Sequence, residues 1–342
     1  MSLQRLENLH QVYIQPLNKM KRSLVVRDFT ELSLRIYTIG YPQVGECLLC
    51  VLFGAKIPLF TFVVDSYSLS GQGLHALCDI LDTIKVRVID VLVWTHPHDD
   101  HSVGIEDLLD RYDPQRKAKI FISDGIAQNK ESIGQNARAA YEYLVSHYNR
   151  GQRYNLNGIS VTSGEVRNIT AVDIKEGRSG NILTCDFQFV APLNPRVIRQ
   201  EFNINVDPNA MSIMFALSLN RINYLFCGDT EDTTLNQINY EVLKNARFVK
   251  IPHHGSNNCV RLIDYLEDSM IKDVVAVTTV FTPKELPRQE VLKKYEKSCA
   301  AIYSTESGDE KYGCVQIDFD VTQGDILGVD LYGNAIQVYP AD

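Results

Sequence analysis

The sequence has no apolar run long enough to cross a membrane, which would need about 18 consecutive apolar residues. Its 342 residues also show no internal repeat, no low-complexity linker and no excess of basic residues, since the net charge is −8. We therefore expect no membrane association and no overall electrostatic attraction to nucleic acid. A hydrophobic content of 45% argues against disorder and predicts a folded protein with a large core.

The cysteines do not form the pattern of a disulfide scaffold. All eight are scattered, and the closest pair, Cys47 and Cys50, lies in an apolar run whose alternating faces would separate the thiols. This pattern predicts reduced, buried thiols and a cytoplasmic protein. A short basic segment at residues 149–155 is more typical of a solvated loop than of a phosphate-binding site.

The most informative segment is residues 94–101, Trp-Thr-His-Pro-His-Asp-Asp-His. It brings together four metal-ligand side chains, His96, His98, Asp100 and His101, directly after an apolar run that predicts a buried strand. Residues two apart in an extended segment point the same way, so His96 and His98 can share one ion. If the chain then turns, Asp100 and His101 can face a second ion. Imidazole and carboxylate ligands together suit zinc, manganese or iron.

Two later segments repeat this order of apolar strand and polar ligand. Residues 223–227 form an apolar run that leads to Asp229, and residues 249–252 lead to His253 and His254. A carboxylate at the end of a strand can bridge two ions. Together with residues 94–101, these segments can provide a site for two metal ions.

The motifs resemble those of the metallo-β-lactamase-fold hydrolases, and most closely the branch that contains the soluble hydrolase domain of DNA-uptake competence proteins. The resemblance covers residues 33–320, with a poorly matched region at 105–205. Three motifs carry it: His96-x-His98-x-Asp100-His101, Gly228-Asp229 and His253-His254-Gly255-Ser256. Looser matches are residues 44–49, 62–65 and 209–213.

The resemblance implies two divalent metal ions, with zinc as the first expectation and manganese as the alternative. His96 and His98 would hold the first ion, while Asp229 would bridge both. The second ion would be held by Asp100, His101 and His254.

The resemblance also implies roles for the surrounding residues. His254 is the preferred ligand of the histidine pair, with His253 as the alternative or as a group that contacts substrate. Asp65 would accept a proton from a ligand imidazole and fix its tautomer. Asn209 would lie beside the site, and Ser256 would either contact a substrate phosphate or cap a helix.

One position departs from the pattern of many relatives, which carry a further ligand histidine on the strand before Gly228-Asp229. Here that place holds Asn209 and Ser212. The competence branch also lacks a histidine at this place. We therefore expect the first ion to be held weakly, or only once a substrate phosphate completes its coordination.

The expected function is that of a metal-dependent hydrolase that activates water between two ions, most typically a phosphodiesterase or nuclease. Its partner would be a phosphodiester substrate, either a nucleotide or nucleic acid. Asp100, Asp229 and His253 are the candidate catalytic residues. The alternatives are a hydrolase of another ester or amide, such as a lactone, a β-lactam or a phosphocholine ester, and a metal-bound binding module without catalysis.

The pattern of strands and helices predicts the α/β class, and the resemblance implies a four-layer αββα sandwich. We expect an N-terminal extension at residues 1–30 and one catalytic domain at 31–342, with an insertion near 110–205. Helices are expected at 74–85, 126–148 and 289–297. Strand-like runs are expected near 159–175 and at several other places, the last at 326–331.

Overall fold

The protein consists of two β-sheets with helices on their outer sides. The computed structural model describes residues 22–68, 76–129, 131–146, 154–194, 207–268 and 273–340. Strands are numbered β1–β17 and helices α1–α7 in chain order. The α/β class is confirmed.

The first sheet has eight strands, antiparallel from β16 to β4 and parallel from β4 to β7. In spatial order its strands are β16 (Ile326–Gly333), β15 (Gly313–Asp320), β2 (Leu32–Gly40), β3 (Glu46–Gly54), β4 (Ile57–Val64), β5 (Val91–Trp94), β6 (Lys119–Ser123) and β7 (Asn155–Ile159).

The second sheet has nine strands, antiparallel from β8 to β11 and parallel from β11 to β14. In spatial order its strands are β1 (Arg22–Val26), β8 (Arg167–Glu176), β9 (Ile182–Ala191), β10 (Met214–Leu219), β11 (Ile222–Phe226), β12 (Ala246–Lys250), β13 (Val274–Thr279), β14 (Cys299–Thr305) and β17 (Ala335–Tyr339).

Helices cover the outer face of each sheet. Those on the first sheet are α1 (Ala76–Thr83), α2 (Ile105–Tyr112), α3 (Ile126–Asn129) and α4 (Gln135–Val145), and those on the second are α5 (Asp232–Leu235), α6 (Arg261–Asp268) and α7 (Gln289–Tyr295). A third hydrophobic cluster fills the space between the sheets. The predicted four-layer αββα sandwich is therefore confirmed.

Strand β3 shows why its sequence is an almost unbroken apolar run. Cys50 and its neighbours at alternate positions face the core between the sheets, whereas Cys47 faces the helical layer. A strand that is buried on both faces needs apolar residues at every position. The two thiols therefore point apart, as predicted, and all eight cysteines are buried and free.

Several predicted elements differ from those observed. The predicted helix at 126–148 is two helices, α3 and α4, separated by a turn that ends at Gly134. A Cβ at Gly134 would come within 2.5 Å of an Asp99 carboxylate oxygen, so the chain approaches that loop too closely for a side chain. The predicted strand at 159–175 likewise divides at a turn, where Gly164 has a φ of +76°. Strand β17 was not predicted.

Part of the predicted domain organisation falls on residues that the structure does not describe. Residues 1–21 of the predicted extension lie outside the described residues, as do residues 149–153 of the basic segment. Residues Arg22–Val26 form β1, which pairs in parallel with β8. The division into an extension, one catalytic domain and an insertion remains a prediction. Among the described residues, no helix has the length and apolar character of a membrane span.

We predict that the aromatic cluster between the sheets contributes much of the stability. Phe215 lies at its centre, 4.9 Å from the ring of Phe226 and 5.4 Å from that of Phe187. Phe215→Ala should lower the free energy of unfolding by about 3–5 kcal/mol, because it removes buried area and leaves a cavity. Val25→Ala, at a position 72% exposed, should change it by less than about 0.5 kcal/mol. Denaturant unfolding measures both, and equal effects would contradict this view of the core.

Candidate metal centre

The predicted ligands meet where loops from the two sheets come together. His96 and His101 follow β5 of the first sheet, whereas Asp229 and His254 follow β11 and β12 of the second. All three loops leave the carboxyl ends of parallel strands, and these ends share one edge of the sandwich. The backbone N–H of Ile213 donates to the Thr95 carbonyl at 2.9 Å and ties the two sets of loops together.

The first group of ligand atoms comes from His96, His98 and Asp229. The Nε2 atom of His96 lies 3.0 Å from Nδ1 of His98 and 3.7 Å from Oδ2 of Asp229. All three residues offer atoms within 4.8 Å of one another. His96 and Asp229 are buried and His98 is partly buried, so these atoms converge at the inner end of the loops.

The second group is formed by Asp100, His101, His254 and Asp229. His101 Nε2 lies 3.4 Å from Asp100 Oδ2 and 3.7 Å from Asp229 Oδ1. His254 Nε2 lies 3.7 Å from Asp100 Oδ2 and 3.8 Å from Asp229 Oδ1. The structure therefore brings together the four residues that the sequence assigned to a second ion.

Asp229 belongs to both groups through different oxygens. Its Oδ1 faces the second group, and its Oδ2 faces His96 in the first. The backbone of Asp229 is anchored beside the site, since its N–H donates a hydrogen bond to Ser212 Oγ at 2.9 Å. This is the geometry of a carboxylate that bridges two cations.

Three buried atoms at the centre lack hydrogen-bond partners among the described residues: His101 Nε2, His254 Nε2 and Asp229 Oδ1. An unpaired buried polar atom is costly, so such a cluster needs an explanation. Atoms bound to one tetrahedral ion at about 2.0–2.2 Å lie roughly 3.4 Å apart. The separations of 3.4–3.8 Å in the second group are close to that spacing. The donor set, imidazole nitrogen and carboxylate oxygen, fits a divalent metal ion.

Asp65 orients the second group from behind. Its Oδ2 accepts a hydrogen bond from His101 Nδ1 at 2.8 Å, which leaves Nε2 of that ring facing the centre. The Thr95 backbone N–H and hydroxyl also donate to Asp65, each at 2.6 Å. A carboxylate that holds the far nitrogen of a ligand histidine fixes its tautomer and ring orientation.

Glu46 and Lys250 form a buried ion pair beneath His254, and the sequence analysis assigned neither of them a role. Lys250 Nζ lies 2.8 Å from Glu46 Oε2, and both side chains are 1% exposed. The same oxygen accepts from the Thr279 hydroxyl and lies 3.4 Å from His254 Nδ1. Glu46 is close enough to count among the possible ligands. The Thr279 hydroxyl that donates to Glu46 Oε2 also lies 2.9 Å from His254 Nδ1, so we assign Glu46 to orienting His254 together with Thr279.

A sequence signal for this pair does exist. Lys250 stands within the apolar run that predicts strand β12, where a lysine would be buried. A charged residue at such a position requires a partner of opposite charge. The partner is more than 200 positions earlier, so only the fold identifies it as Glu46.

His253 and His254 lie on opposite sides of Asp229. His253 Nε2 is 3.9 Å from Asp229 Oδ2, on the side of the first group, whereas His254 faces Oδ1. His253 Nδ1 lies 3.3 Å from Glu231, whose carboxylate also accepts from Asn209 Nδ2 at 3.2 Å. Both histidines adopt left-handed backbone angles, with φ of 46° and 51°. This uncommon backbone turns the two consecutive side chains toward one carboxylate.

Two predicted residues lie away from the cleft. Asn209 is connected to the metal centre through Glu231, which in turn contacts His253. The backbone N–H of Ser256 donates to the His253 carbonyl at 3.0 Å, at the end of the turn Pro252–Gly255. Neither residue is among the described residues that line the cleft.

Burial and charge act differently on the histidines. Burial lowers the pKa of His96 well below its ordinary value of 6.5, so the ring is neutral and able to bind metal. Burial also disfavours protonation of His101, but the combined charge of Asp100, Asp229 and Asp65 outweighs it and raises the His101 pKa. A carboxylate field that stabilises a proton there also stabilises a divalent cation.

The centre opens into a cleft of about 150 Å³. The residues that line it are His98, Asp100, Asp229, His253, His254, Phe281 and Lys284. Members of both ligand groups are therefore accessible from one opening.

Comparison with known proteins gives similarity to solved structures alone, since no family model and no curated protein matches the chain. The metallo-β-lactamase fold protein YhfI from Bacillus subtilis is 10% identical over 83% of this chain and 99% of that chain, with a TM-score of 0.40. The subclass B3 metallo-β-lactamase MEM-A1, isolated from a soil metagenome library, is 11% identical over 79% and 94%, with a TM-score of 0.33. The chain spans 58% of the length of Rm3 metallo-β-lactamase, at 13% identity over 56% of this chain and a TM-score of 0.28.

We predict that the charges of Glu46 and Lys250 depend on each other. Lys250→Met should lower the free energy of unfolding by about 3–5 kcal/mol, because it leaves a buried carboxylate without its partner. The double variant Glu46→Gln/Lys250→Met should recover most of that loss, since no buried charge remains. Lys244→Met removes an exposed lysine that pairs with Glu241 and should leave stability nearly unchanged. A double variant that loses as much unfolding free energy as Lys250→Met, measured by denaturant unfolding, would contradict the coupling.

Proposed function

We propose that this protein is a metal-dependent hydrolase and that its substrates are phosphodiesters, so that it acts as a phosphodiesterase or nuclease. The observation that carries the proposal is Asp229, with each oxygen facing a separate group of buried imidazoles. Two divalent ions, when bound, supply acidified water and neutralise charge on the oxygens of a phosphodiester undergoing in-line displacement. Zinc is the first expectation for both ions and manganese the alternative.

The residues of the chain have separate tasks in this proposal. His96 and His98 would hold the first ion, and Asp100, His101 and His254 the second, with Asp229 shared. Asp65 and Glu46 keep the rings of His101 and His254 in their orientations.

His253 lines the cleft and is held by Glu231. It lies on the side of the first group, with its Nε2 3.9 Å from Asp229 Oδ2. We propose that it contacts substrate or completes the first ion. In this position His253 would replace the ligand that Asn209 and Ser212 do not supply.

Other reaction classes use the same activated water, since hydroxide attacks a carbonyl carbon as well as phosphorus. A lactone, a β-lactam or a phosphocholine ester is therefore the alternative substrate, and a binding module without turnover is the alternative function. Bis-p-nitrophenyl phosphate compared with a chromogenic lactam, each with added zinc or manganese, separates the first two. Metal binding without hydrolysis of either substrate favours the third.

The cysteines of the chain agree with a reducing compartment. All eight thiols are buried without disulfide bonds, which supports the expectation of a cytoplasmic protein. The net charge of −8 favours a small phosphodiester over a long polyanion.

We predict that Asp229→Asn removes phosphodiester hydrolysis while the fold survives. The amide cannot bridge two cations with two anionic oxygens, so turnover should fall by at least roughly 1,000-fold. Asp325→Asn replaces an exposed carboxylate outside the centre and should retain full activity. Turnover of bis-p-nitrophenyl phosphate, with far-ultraviolet circular dichroism as the test of folding, measures both variants. Unchanged turnover in Asp229→Asn would remove the proposal.

A further inference from the structure

The loop after strand β13 places a lysine at the mouth of the cleft. Lys284 and Phe281 both line the cleft, beside His98, Asp100 and His253. Among the described residues that line it, Lys284 is the one lysine or arginine. The loop contains none of the sequence motifs that point to metal, so the sequence alone predicts no role for it.

The loop is anchored at several points. The Phe281 N–H donates to the Leu286 carbonyl at 3.0 Å, and the Leu286 N–H returns a bond at 3.1 Å. The Thr282 N–H donates to the Gln43 carbonyl at 2.8 Å, which ties the loop to the segment before β3. The backbone of Lys284 is therefore held in place, while its flexible side chain extends to the cleft.

Aromatic packing connects the lysine to the ligand residues. The Phe281 ring packs on the His254 ring at 5.3 Å between centroids, and Lys284 Nζ lies 6.0 Å from the Phe281 centroid. A lysine ammonium near the face of an aromatic ring is attracted by its quadrupole. Phe281 thus contacts both the Lys284 ammonium and the ring of His254.

The charge of Lys284 is available for a ligand. The acidic residue next to it, Glu285, pairs with Arg288 at 3.0 Å. Lys284 has no ion-pair partner among the described residues. Glu46 is likewise neutralised by Lys250. Four positive charges from two divalent ions would balance the four carboxylates of Asp65, Asp100, Asp229 and Glu231, so the charge of Lys284 would make the cleft net positive.

We propose that Lys284 is a substrate-binding and specificity residue that contacts a phosphate oxygen of an anionic phosphodiester. This deepens the proposed function and rests on it. The inferred substrate class is a small diester with a charged phosphate, such as a cyclic nucleotide or a dinucleotide, in preference to neutral esters and lactones. A lysine suits this role, because its ammonium is a mobile point charge that forms a charge-assisted hydrogen bond with a phosphate oxygen.

The binding test uses inorganic phosphate and does not depend on turnover. The full chain is loaded with manganese or zinc, its metal content is measured, and phosphate is titrated by calorimetry. Lys284→Gln keeps the length of the side chain and removes its charge, so the Kd for phosphate should rise roughly tenfold. Lys293→Gln is the matched control, an exposed lysine on α7, and should leave that Kd unchanged.

The kinetic test compares charged and neutral substrates in the same variants. Lys284→Gln should raise KM for bis-p-nitrophenyl phosphate by a similar factor and leave KM for neutral p-nitrophenyl acetate unchanged. A Kd and a KM that match the wild-type values at equal metal content would overturn the role of Lys284, even if phosphodiesters are hydrolysed. Weaker phosphate binding in Lys284→Gln, with no phosphodiester hydrolysis by the wild type, would uphold the anion site and remove the proposed function.

Discussion

The sharing of one buried carboxylate between two groups of imidazoles is the constraint on which the site depends. Asp229 is 3% exposed and has an oxygen atom that no described residue satisfies. Burying such a group without a partner costs free energy, so the surrounding fold must have a compensating reason to hold it there. A divalent cation would supply that reason, because the unpaired nitrogens of His101 and His254 face the same oxygen of Asp229.

The site depends equally on the layer of residues behind the ligands. Asp65 holds His101 from the first sheet, whereas Glu46 and Lys250 support His254 across the boundary between the sheets. The buried Lys250 ammonium lowers the pKa of the Glu46 carboxyl to about 2 against the opposing effect of burial, so Glu46 remains ionised. A fixed negative charge behind His254 keeps the Nδ1 side of the ring toward Glu46 and Nε2 toward the centre.

The sequence was sufficient for the fold class and for the set of residues that meet at the centre. His96, Asp229 and His254 could be grouped because each follows an apolar strand and because their motifs resemble those of the metallo-β-lactamase-fold hydrolases. The Glu46–Lys250 pair and the position of Lys284 could not be predicted, because both depend on contacts between distant segments. The motif resemblance favoured His254 over His253, but the left-handed backbone angles that turn both rings toward Asp229 are visible only in the fold. Helix limits near Gly134 were missed because the close approach to Asp99 is a tertiary contact.

The most direct test of a bridging Asp229 is anomalous diffraction from crystals of the protein soaked in zinc or manganese. The account predicts two anomalous peaks about 3.5–4 Å apart, one on each side of the Asp229 carboxylate. One peak would lie beside His96 and His98, and the other beside Asp100, His101 and His254. No peak at this position after soaking, or metal bound only at surface carboxylates, would contradict the account.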